Sequence, residues 1–503
     1  MAWYKKRHLW YVLGIMVLAL SLRLMFAFSV PELTGSDAYF RLRQVESILQ
    51  SGLPLFIDPF SFSGRMHVFT PAYEYVLSLF AFVLGPALAL KLIPNVLIVL
   101  VIPLVYLISK EMTRDDTVAV VTAFAAAFIP VVFSQTVNSV VMETLMIPLV
   151  FYLLYCFMRS SEKVFLYQFI VLAFVAPLVS ALSFFIVLGF LLYLLLIKLE
   201  YRHQNRVELE LILFFTALAI WIEFLVYKSA FLFHGYRVIW QNIPGQILQN
   251  YFAQTSIIGA VKGIGIVPLI LGTVAVYQYV FKQRSRELYL IVAFTMAATI
   301  LLWLRLINLS TGLMLLGSLI AVLMGLSFRD FFAYADKTKV AHFKKLFFAS
   351  FVLVIVATSV IPSLILANQQ IQRSLLPKDV AALRWLEKNT PADSVVVGMV
   401  SEGEFISAIA RRKNIADTRF FLIKNPDTVL DDIKTIYTSI FQTPALERLD
   451  KYRASYVYLS RAEPELGADR LKYADTNCFP LVYDNGVKIY EVRCHLFAAE
   501  VSP

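Results

Sequence analysis

The chain has 503 residues, of which 59% are hydrophobic and 16% charged, and its mean hydropathy is +0.71. This composition excludes a soluble globular protein, because repeated apolar runs of about 18 or more residues are typical of helices that cross a bilayer. In a membrane protein a net charge of +10 is usually carried by cytoplasmic loops, so we expect no nucleic-acid partner. The three cysteines have no CxxC spacing, which argues against a zinc or redox site.

The apolar runs predict about eleven membrane-spanning helices. The first follows a basic start (Lys5, Lys6, Arg7) and lacks an A-x-A end, as in a signal anchor whose N-terminus is cytoplasmic. Pro177 and Ser180 mark a bend between two spans in the apolar run 165–198. The predicted spans are 9–30, 88–109, 117–134, 144–158, the two halves of 165–198, 207–227, 258–280, 287–304, 309–327 and 346–367.

The apolar segment 69–84 is short and contains Pro71 and Tyr73, so we predict a helix in the outer interface rather than a crossing. If this segment did cross, the later basic loops would face outward, against the positive-inside rule. The resulting topology places the loops 31–68, 135–143 and 228–257 outside. It predicts a multi-pass protein of the cell membrane with an extracytoplasmic C-terminal domain.

The composition changes near residue 368, which predicts a membrane domain over 1–367, including the first outer loop 31–68, and a small α/β domain over 368–503. Helices are predicted at 378–389, 402–411, 427–439 and 443–451, and strands at 394–400 and 455–459. The end is a hairpin with an Asn485-Gly486 turn. Cys478 and Cys494 flank it, and a disulfide and two free thiols are both open, because the simplest register leaves them one residue out of step.

The first outer loop is too long and too polar to be a simple connection. Asp37 precedes a helical pattern, AYFRLRQVESIL, and would be either a helix N-cap or an exposed catalytic acid. His67 near the end of the loop is either a structural hydrogen-bonding residue or part of a site. The loop is therefore the first place to look for chemistry.

Five ionisable residues lie within or at the outer ends of predicted spans, where an unpaired charge costs several kcal/mol. Snorkelling of each side chain to the outer interface is the alternative to a shared site. Their common depth predicts a polar cavity that opens outward. These residues are Arg23, Glu143, Glu223, Lys262 and Arg305.

Such a cavity suits transfer from a phosphate-linked donor. Carboxylates from separate outer loops could hold a divalent cation, Mn²⁺ or Mg²⁺, that stabilises a leaving phosphate or pyrophosphate. A carboxylate can also bind or deprotonate an acceptor, and an arginine can clamp a phosphate. A lipid-linked donor would explain why the site lies at a membrane face.

Several stretches resemble one family. Asp37 to Arg43, Gly64-Arg65 and Thr70 to Tyr73 resemble the first outer loop of the oligosaccharyltransferase catalytic subunit, a GT-C membrane glycosyltransferase. The segment 135–155 resembles its second outer loop and following span, where a D-x-D or D-x-E motif binds metal. The segment 385–398 with the following Gly403, Arg411 and Asp417 resembles the start of its C-terminal domain.

The resemblance implies an α-helical polytopic membrane protein of GT-C type, with about eleven spans, an outer interfacial helix and a small C-terminal extracytoplasmic α/β domain. It implies catalytic roles for Asp37 and Arg305 and metal binding by Asp37 and Glu143. Substrate binding is expected at the weaker candidates Arg41, His67, Gln241 and Glu402.

The sequence also departs from the family pattern. Val141 stands where the first acid of the D-x-E motif is expected, which leaves Glu143 alone. Two alternatives are therefore open: Asp37 and Glu143 bind a metal, or no metal is used and Asp37 is a general base for a lipid-monophosphate donor. The WWDYG motif would fall at 399–403, where only Gly403 matches and Glu402 is an acidic remnant. Gln241 would replace the glutamate of a late outer loop. These departures favour the GT-C fold over asparagine-linked transfer in particular.

The sequence therefore predicts a membrane glycosyltransferase that uses a polyprenyl-phosphate- or pyrophosphate-linked sugar donor and a protein or glycan acceptor at the extracytoplasmic face. The alternative is a catalytically decayed relative that binds a glycan lipid or serves as an assembly subunit. A transporter is disfavoured because no internal repeat is visible in the sequence.

Overall fold

A computed structural model describes residues 7–200, 205–253, 256–282, 285–337 and 342–496. Lys5 and Lys6 of the predicted signal anchor lie outside these residues. So do parts of the predicted basic loops (201–204, 283–284 and 338–341) and residues 254–255 of the third predicted outer segment. The described residues form mainly helices and two small sheets, and they confirm the predicted polytopic helical fold with an α/β domain at the C-terminal end.

The helices have the following bounds in chain order: α1 (Arg7–Ala27), α2 (Ser36–Ser51), α3 (Ala72–Leu84), α4 (Pro86–Val99), α5 (Val101–Thr113), α6 (Asp116–Ala127), α7 (Pro130–Thr136), α8 (Glu143–Met158), α9 (Lys163–Val179), α10 (Ser183–Leu199), α11 (Arg206–His234), α12 (Gly245–Ala253), α13 (Ile257–Ile264), α14 (Ile266–Lys282), α15 (Arg286–Trp303), α16 (Leu309–Asp336), α17 (Lys344–Ile355), α18 (Ile361–Ile371), α19 (Pro377–Asn389), α20 (Gly403–Phe405), α21 (Pro426–Thr438), α22 (Gln442–Lys451) and α23 (Ala462–Leu466). The strands are β1 (Ile57–Asp58), β2 (Arg65–Met66), β3 (Val395–Val397), β4 (Lys413–Asn414), β5 (Tyr456–Leu459), β6 (Leu481–Asp484) and β7 (Lys488–Glu491).

Helices lie at all eleven predicted spans, but they differ in length and shape. Among the described residues, six helices are long and apolar enough to cross a membrane, or up to eight if two bent pairs count as one span each. The helices α8, α9 and α10 have only 16 or 17 residues. Two predicted spans are bent, by 47° between α6 and α7 and by 90° between α13 and α14. The second bend falls at Gly265, whose φ of 98° favours glycine.

The first compact unit comprises Met1–Pro31, Thr70–Val226 and Tyr251–Arg373. Its core is rich in aromatic rings, and Phe190 packs against Phe157, Phe215 and Phe294 at centroid distances of 4.8 to 5.9 Å. Gly189 is required here, because a Cβ at this position would lie 2.7 Å from the Phe294 ring. Close helix packing through a small residue is typical of membrane bundles.

The second compact unit comprises Glu32–Phe69, Tyr227–Asn250 and Ser374–Pro503. Our sequence-based division assigned the first outer loop to the membrane domain, whereas contacts group it with the C-terminal domain. Asn414 shows why: its backbone N–H donates to the Phe60 carbonyl (2.8 Å), and its side-chain oxygen accepts from the Phe62 N–H (2.8 Å). Its amide nitrogen donates to the Gly403 carbonyl at 2.9 Å, so one side chain joins both segments.

The larger sheet of this unit has the strand order β4-β3-β5-β7-β6. The strands β4, β3 and β5 are parallel, and β7 is antiparallel to β5 and β6. The register of the final hairpin shifts between Leu481 and Tyr483. Such a bulge adds one residue to one strand. In the simplest hairpin register Cys478 and Cys494 were one residue out of step, and the bulge corrects this offset. Cys478 and Cys494 form a disulfide.

Candidate active site

Asp37 lies in the first turn of α2, where the helix dipole favours a carboxylate. Gly35 is the N-cap and no side chain caps the helix, so Asp37 does not fill the N-cap role that was the alternative. The Asp37 side chain is 57% exposed, and its Oδ1 accepts a hydrogen bond from Arg419 Nη2 at 2.8 Å. An exposed carboxylate in a fixed position is thus present where the sequence predicted a catalytic acid.

Arg419 is fixed on several sides. Its guanidinium carbon lies 3.5 Å from the centroid of the Phe40 ring, at cation–π distance. Its Nε is 3.6 Å from Oε1 of Glu404. Its backbone N–H donates to Oδ1 of Asp417 at 2.9 Å, and its carbonyl accepts from Arg65. We call Asp37, Arg65, Glu404, Asp417 and Arg419 the arginine–carboxylate cluster.

Glu404 is a buried acid of this cluster, with 1% of its side chain exposed. Burial, followed by repulsion from Asp417, raises the pKa of Glu404 well above its usual range, although Arg419 opposes this shift. Oε1 of Glu404 and Nε of Arg419 have no hydrogen-bond partner among the described residues. Burial thus favours the neutral form of Glu404. The hydrogen bond from the Arg419 guanidinium goes to Asp37.

Asp417 joins the cluster to the first outer loop. Its Oδ1 accepts from Arg65 Nη2 at 2.8 Å, and its Oδ2 accepts from the Ser61 hydroxyl at 2.5 Å. Arg65 Nε in turn donates to Ser61 Oγ at 2.6 Å. Asp417 and Arg65 are almost fully buried, so this charge-assisted network holds its geometry without solvent.

A second buried pair supports the loop from within. Both oxygens of Asp58 accept from Arg43 at 2.6 Å, and His67 Nε2 lies 3.2 Å from Oδ2. Burial opposes ionisation of Asp58, but hydrogen bonds from His67 and Arg43 overcome it and hold the pKa of Asp58 well below its usual range. Burial lowers the pKa of His67, against a raising effect of Asp58. His67 is thus placed as a structural hydrogen-bonding residue, which was its alternative role.

A small cavity of about 10 Å³ adjoins the cluster. This volume suits a single water molecule, so the cavity is too small to hold a substrate. The residues lining it are Phe40, Arg65, Met66, His67, Val68, Phe69, Arg419 and Phe421.

The other predicted site residues of this unit differ in environment. Arg41 is buried. Gln241 is exposed and has a φ of 55° at the end of a 3₁₀ turn. Glu402 is 2% exposed, and its oxygens accept the backbone N–H groups of Met399 and Arg461, both at 2.8 Å. Burial raises the pKa of Glu402 to about 8. Glu402 therefore supports the backbone and presents no oxygen to solvent.

The remaining predicted residues belong to the first unit. Glu143 begins α8, and its Oε1 accepts from the Thr311 hydroxyl at 2.5 Å. Arg305 is exposed beyond the end of α15, with a φ of 57°. Arg23 and Glu223 are buried and bonded to neutral groups, and Lys262 is exposed. The outward cavity that these residues predicted stays a prediction.

The described residues do not fit the divalent metal implied by the resemblance. Among them, no group of three or more His, Cys, Asp or Glu side chains could hold an ion. The Asp37 oxygen that would bind a cation is already bonded to the Arg419 guanidinium. We therefore derive no step through a metal.

Sequence reasoning missed Arg419 and Glu404. Glu404 lies two residues beyond Glu402, close to the segment aligned with the acidic family motif, so the sequence did indicate an acid in this segment. Arg419 follows Asp417, which the resemblance had marked, yet 382 residues separate it from Asp37. Nothing local in the sequence indicates that pairing.

The apolar helices and the α/β domain at the C-terminal end place the chain in the class of polytopic helical membrane folds. Solved structures of this class match the chain. The oligosaccharyltransferase of Archaeoglobus fulgidus in its apo form is 16% identical, with a TM-score of 0.71 over 92% of this chain and 71% of that one. The same protein in complex with an inhibitory peptide and a dolichol-phosphate gives a TM-score of 0.68 at 16% identity, over 92% and 70%.

A second protein with this fold is ArnT from Cupriavidus metallidurans, bound to undecaprenyl phosphate. It is 12% identical, with a TM-score of 0.56 over 95% of this chain and 97% of that one. No protein-family model matches the sequence, and no curated protein matches it. The chain therefore has the GT-C fold in a form similar to the archaeal oligosaccharyltransferase, as the sequence predicted.

Proposed function

We propose that the chain is a membrane glycosyltransferase. It moves a sugar or oligosaccharide from a polyprenyl-phosphate- or pyrophosphate-linked donor to a protein or glycan acceptor at the extracytoplasmic face. The GT-C fold supports this assignment, as do the molecules bound to its structural relatives: dolichol-phosphate and peptide in one, undecaprenyl phosphate in the other. The orientation of the chain in the membrane is part of the proposal.

The observation that carries the proposal is the state of Asp37. In the second unit, Asp58 and Asp417 are fully buried in ion pairs. Asp37, by contrast, is held by one arginine and keeps more than half of its side chain exposed. A carboxylate that is oriented yet open is what a general base or an acceptor-binding group requires.

The reaction that this group would serve is a displacement at the anomeric carbon. The acceptor heteroatom forms a bond to that carbon while the bond from the carbon to the phosphate oxygen breaks. The phosphate or pyrophosphate leaves with the bonding electron pair, and the acceptor proton passes to the free oxygen of Asp37. Exposed Arg305 is proposed to bind the departing anion or the acceptor, as the resemblance implies.

Other residues have supporting roles in the proposal. Arg41 and His67 are buried residues of the first outer loop and help to shape it, and Gln241 is exposed enough to contact an acceptor. The sequence expectation of a cation shared by Asp37 and Glu143 is not carried into the mechanism, because Asp37 is already paired with Arg419.

The test uses the purified full-length chain and polyprenyl-phosphate- and pyrophosphate-linked donors with a radiolabelled sugar. We expect label to move to peptide or glycan acceptors and free lipid phosphate to accumulate. Donor binding without transfer to either acceptor class would instead support the decayed glycan-lipid binder. If the chain showed neither donor binding nor sugar transfer, both functions would be contradicted.

A further inference from the structure

We propose that Arg419 is a built-in cation of the active site. It positions Asp37 and supplies the positive charge that a divalent metal provides in the resemblance drawn from the sequence. This inference rests on the proposed function and deepens it. Arg419 is a positioning residue in this account, because it acts through Asp37.

Arg419 is preorganised by its contacts within the second unit. Its backbone is fixed by the Asp417 carboxylate and by Arg65, which donates to its carbonyl oxygen. Its side chain lies against the Phe40 ring, and only 21% of it is exposed. Because both the backbone and the side chain of Arg419 are fixed, its Nη2 donor is held in place, and little side-chain entropy is lost in the hydrogen bond to Asp37.

The carboxylates of the cluster and of the neighbouring Asp58–Arg43 pair are balanced by arginines. Every ionised carboxylate of the cluster and of the neighbouring buried pair has its own guanidinium: Asp37 with Arg419, Asp417 with Arg65 and Asp58 with Arg43. The fourth acid, Glu404, is almost fully buried, and burial raises its pKa, which favours its neutral form. Three carboxylates thus face three guanidiniums. A divalent cation bound at these residues would add charge that they do not compensate.

The two carboxylate oxygens of Asp37 differ in their hydrogen bonding. Arg419 binds Oδ1, and Oδ2 makes no further hydrogen bond to a described residue. The carboxylate is therefore oriented with one oxygen held and the other open to an acceptor. Because an arginine is covalently part of the chain and stays protonated, this arrangement survives chelation, whereas a metal would be removed.

The first experiment needs no substrate. Mn²⁺ is titrated into the chelator-washed full-length protein and followed by electron paramagnetic resonance, with Asp37→Asn beside the wild type. We expect the two titrations to coincide. A Mn²⁺ site that is present in the wild type and lost in Asp37→Asn would overturn the proposal and leave the proposed glycosyl transfer standing.

The second experiment compares variants in the transfer assay. Arg419→Met keeps the stem over Phe40 but removes the charge, and we expect kcat to fall by about 10- to 100-fold with little change in KM. Arg419→Lys should recover part of the loss, because an ammonium still donates to Asp37. The matched control is Arg384→Met, an exposed arginine of α19, which should behave as wild type.

The outcomes separate this proposal from the proposed function. Wild-type kcat in Arg419→Met, or loss of wild-type turnover after removal of divalent metals with EDTA, would overturn the role of Arg419. Wild-type turnover in Asp37→Asn would instead overturn the assignment of Asp37 as the catalytic acid. Circular dichroism of each variant confirms that the fold is retained before its rates are compared.

Discussion

The two compact units accommodate their charged side chains in different ways. In the second unit, two fully buried carboxylates pair with arginines: Asp58 with Arg43 and Asp417 with Arg65. In the first unit, the buried Arg23 and Glu223 of the apolar helices are bonded to neutral groups. Arg23, for example, donates to the side chains of Asn95 and Thr136.

Two glutamates of the first unit, Glu223 and Glu143, also accept hydrogen bonds from neutral groups. Ser183 donates to Oε1 of Glu223 at 2.7 Å, and Thr311 donates to Oε1 of Glu143. Hydroxyl and amide dipoles satisfy a charge locally but cannot neutralise it. A reaction in which a phosphate leaves needs fixed charges that stabilise the developing negative charge. The second unit offers such charges, because carboxylates and guanidiniums are held there at hydrogen-bond distance.

The largest expected effect tests the buried pairs directly. Asp58→Asn removes a fully buried charge from the bidentate contact and leaves Arg43 uncompensated, so we expect the second unit to lose about 3–5 kcal/mol of stability. The loss is measured as the opening free energy of segment 57–66 by hydrogen exchange in the full-length protein.

Asp393→Asn is the matched control, since Asp393 is exposed in a turn of the same unit. It should shift the opening free energy by less than about 0.5 kcal/mol. If Asp58→Asn shifted the opening free energy as little as this control, the buried ion pairs would not stabilise the first outer loop. The proposed difference between the two units would then be contradicted.

A smaller effect should appear in acid. The pKa of His67 is lowered by burial, so the unfolded state binds the proton more readily, and stability falls as the pH drops below the unfolded value of about 6.5. Asp58 has a depressed pKa, so its contribution is present above about pH 3.9 and is lost below that value. Each unit of pKa difference corresponds to about 1.4 kcal/mol.

Hydrogen exchange of segment 57–66, corrected for intrinsic rates, should therefore show lower protection at pH 5 than at pH 7.5. His67→Gln can still donate to Asp58 but does not titrate, so the variant should be insensitive to pH over this range. The same loss of protection in His67→Gln would show that another group is responsible.

Much of the fold could be predicted from the sequence, because helix length, apolar content and turn residues are local properties. The apolar runs predicted the positions of eleven helical segments, and the Asn485-Gly486 turn predicted the final hairpin. The bend at Gly265 was missed, since an apolar run does not distinguish a straight helix from a broken one.

The candidate site was only partly predictable. Asp37 was chosen because it precedes a helical pattern in the polar first outer loop and matches the catalytic aspartate that the resemblance implies. Its partner Arg419 depends on the first outer loop packing with the C-terminal domain, a long-range contact that no periodicity encodes. Glu402 was chosen by alignment, whereas burial assigns it to the backbone and makes its neighbour Glu404 the acid that faces Arg419.

The most direct test of the account is the initial rate of sugar transfer by purified Asp37→Asn beside wild type and Asp393→Asn. The asparagine introduced by Asp37→Asn would keep the size of the side chain but could neither accept the proton nor pair as a charge with Arg419. We predict a loss of about 100-fold or more for Asp37→Asn and a rate near wild type for Asp393→Asn. Equal rates in all three proteins would contradict the central claim that the Asp37 carboxylate performs the chemistry.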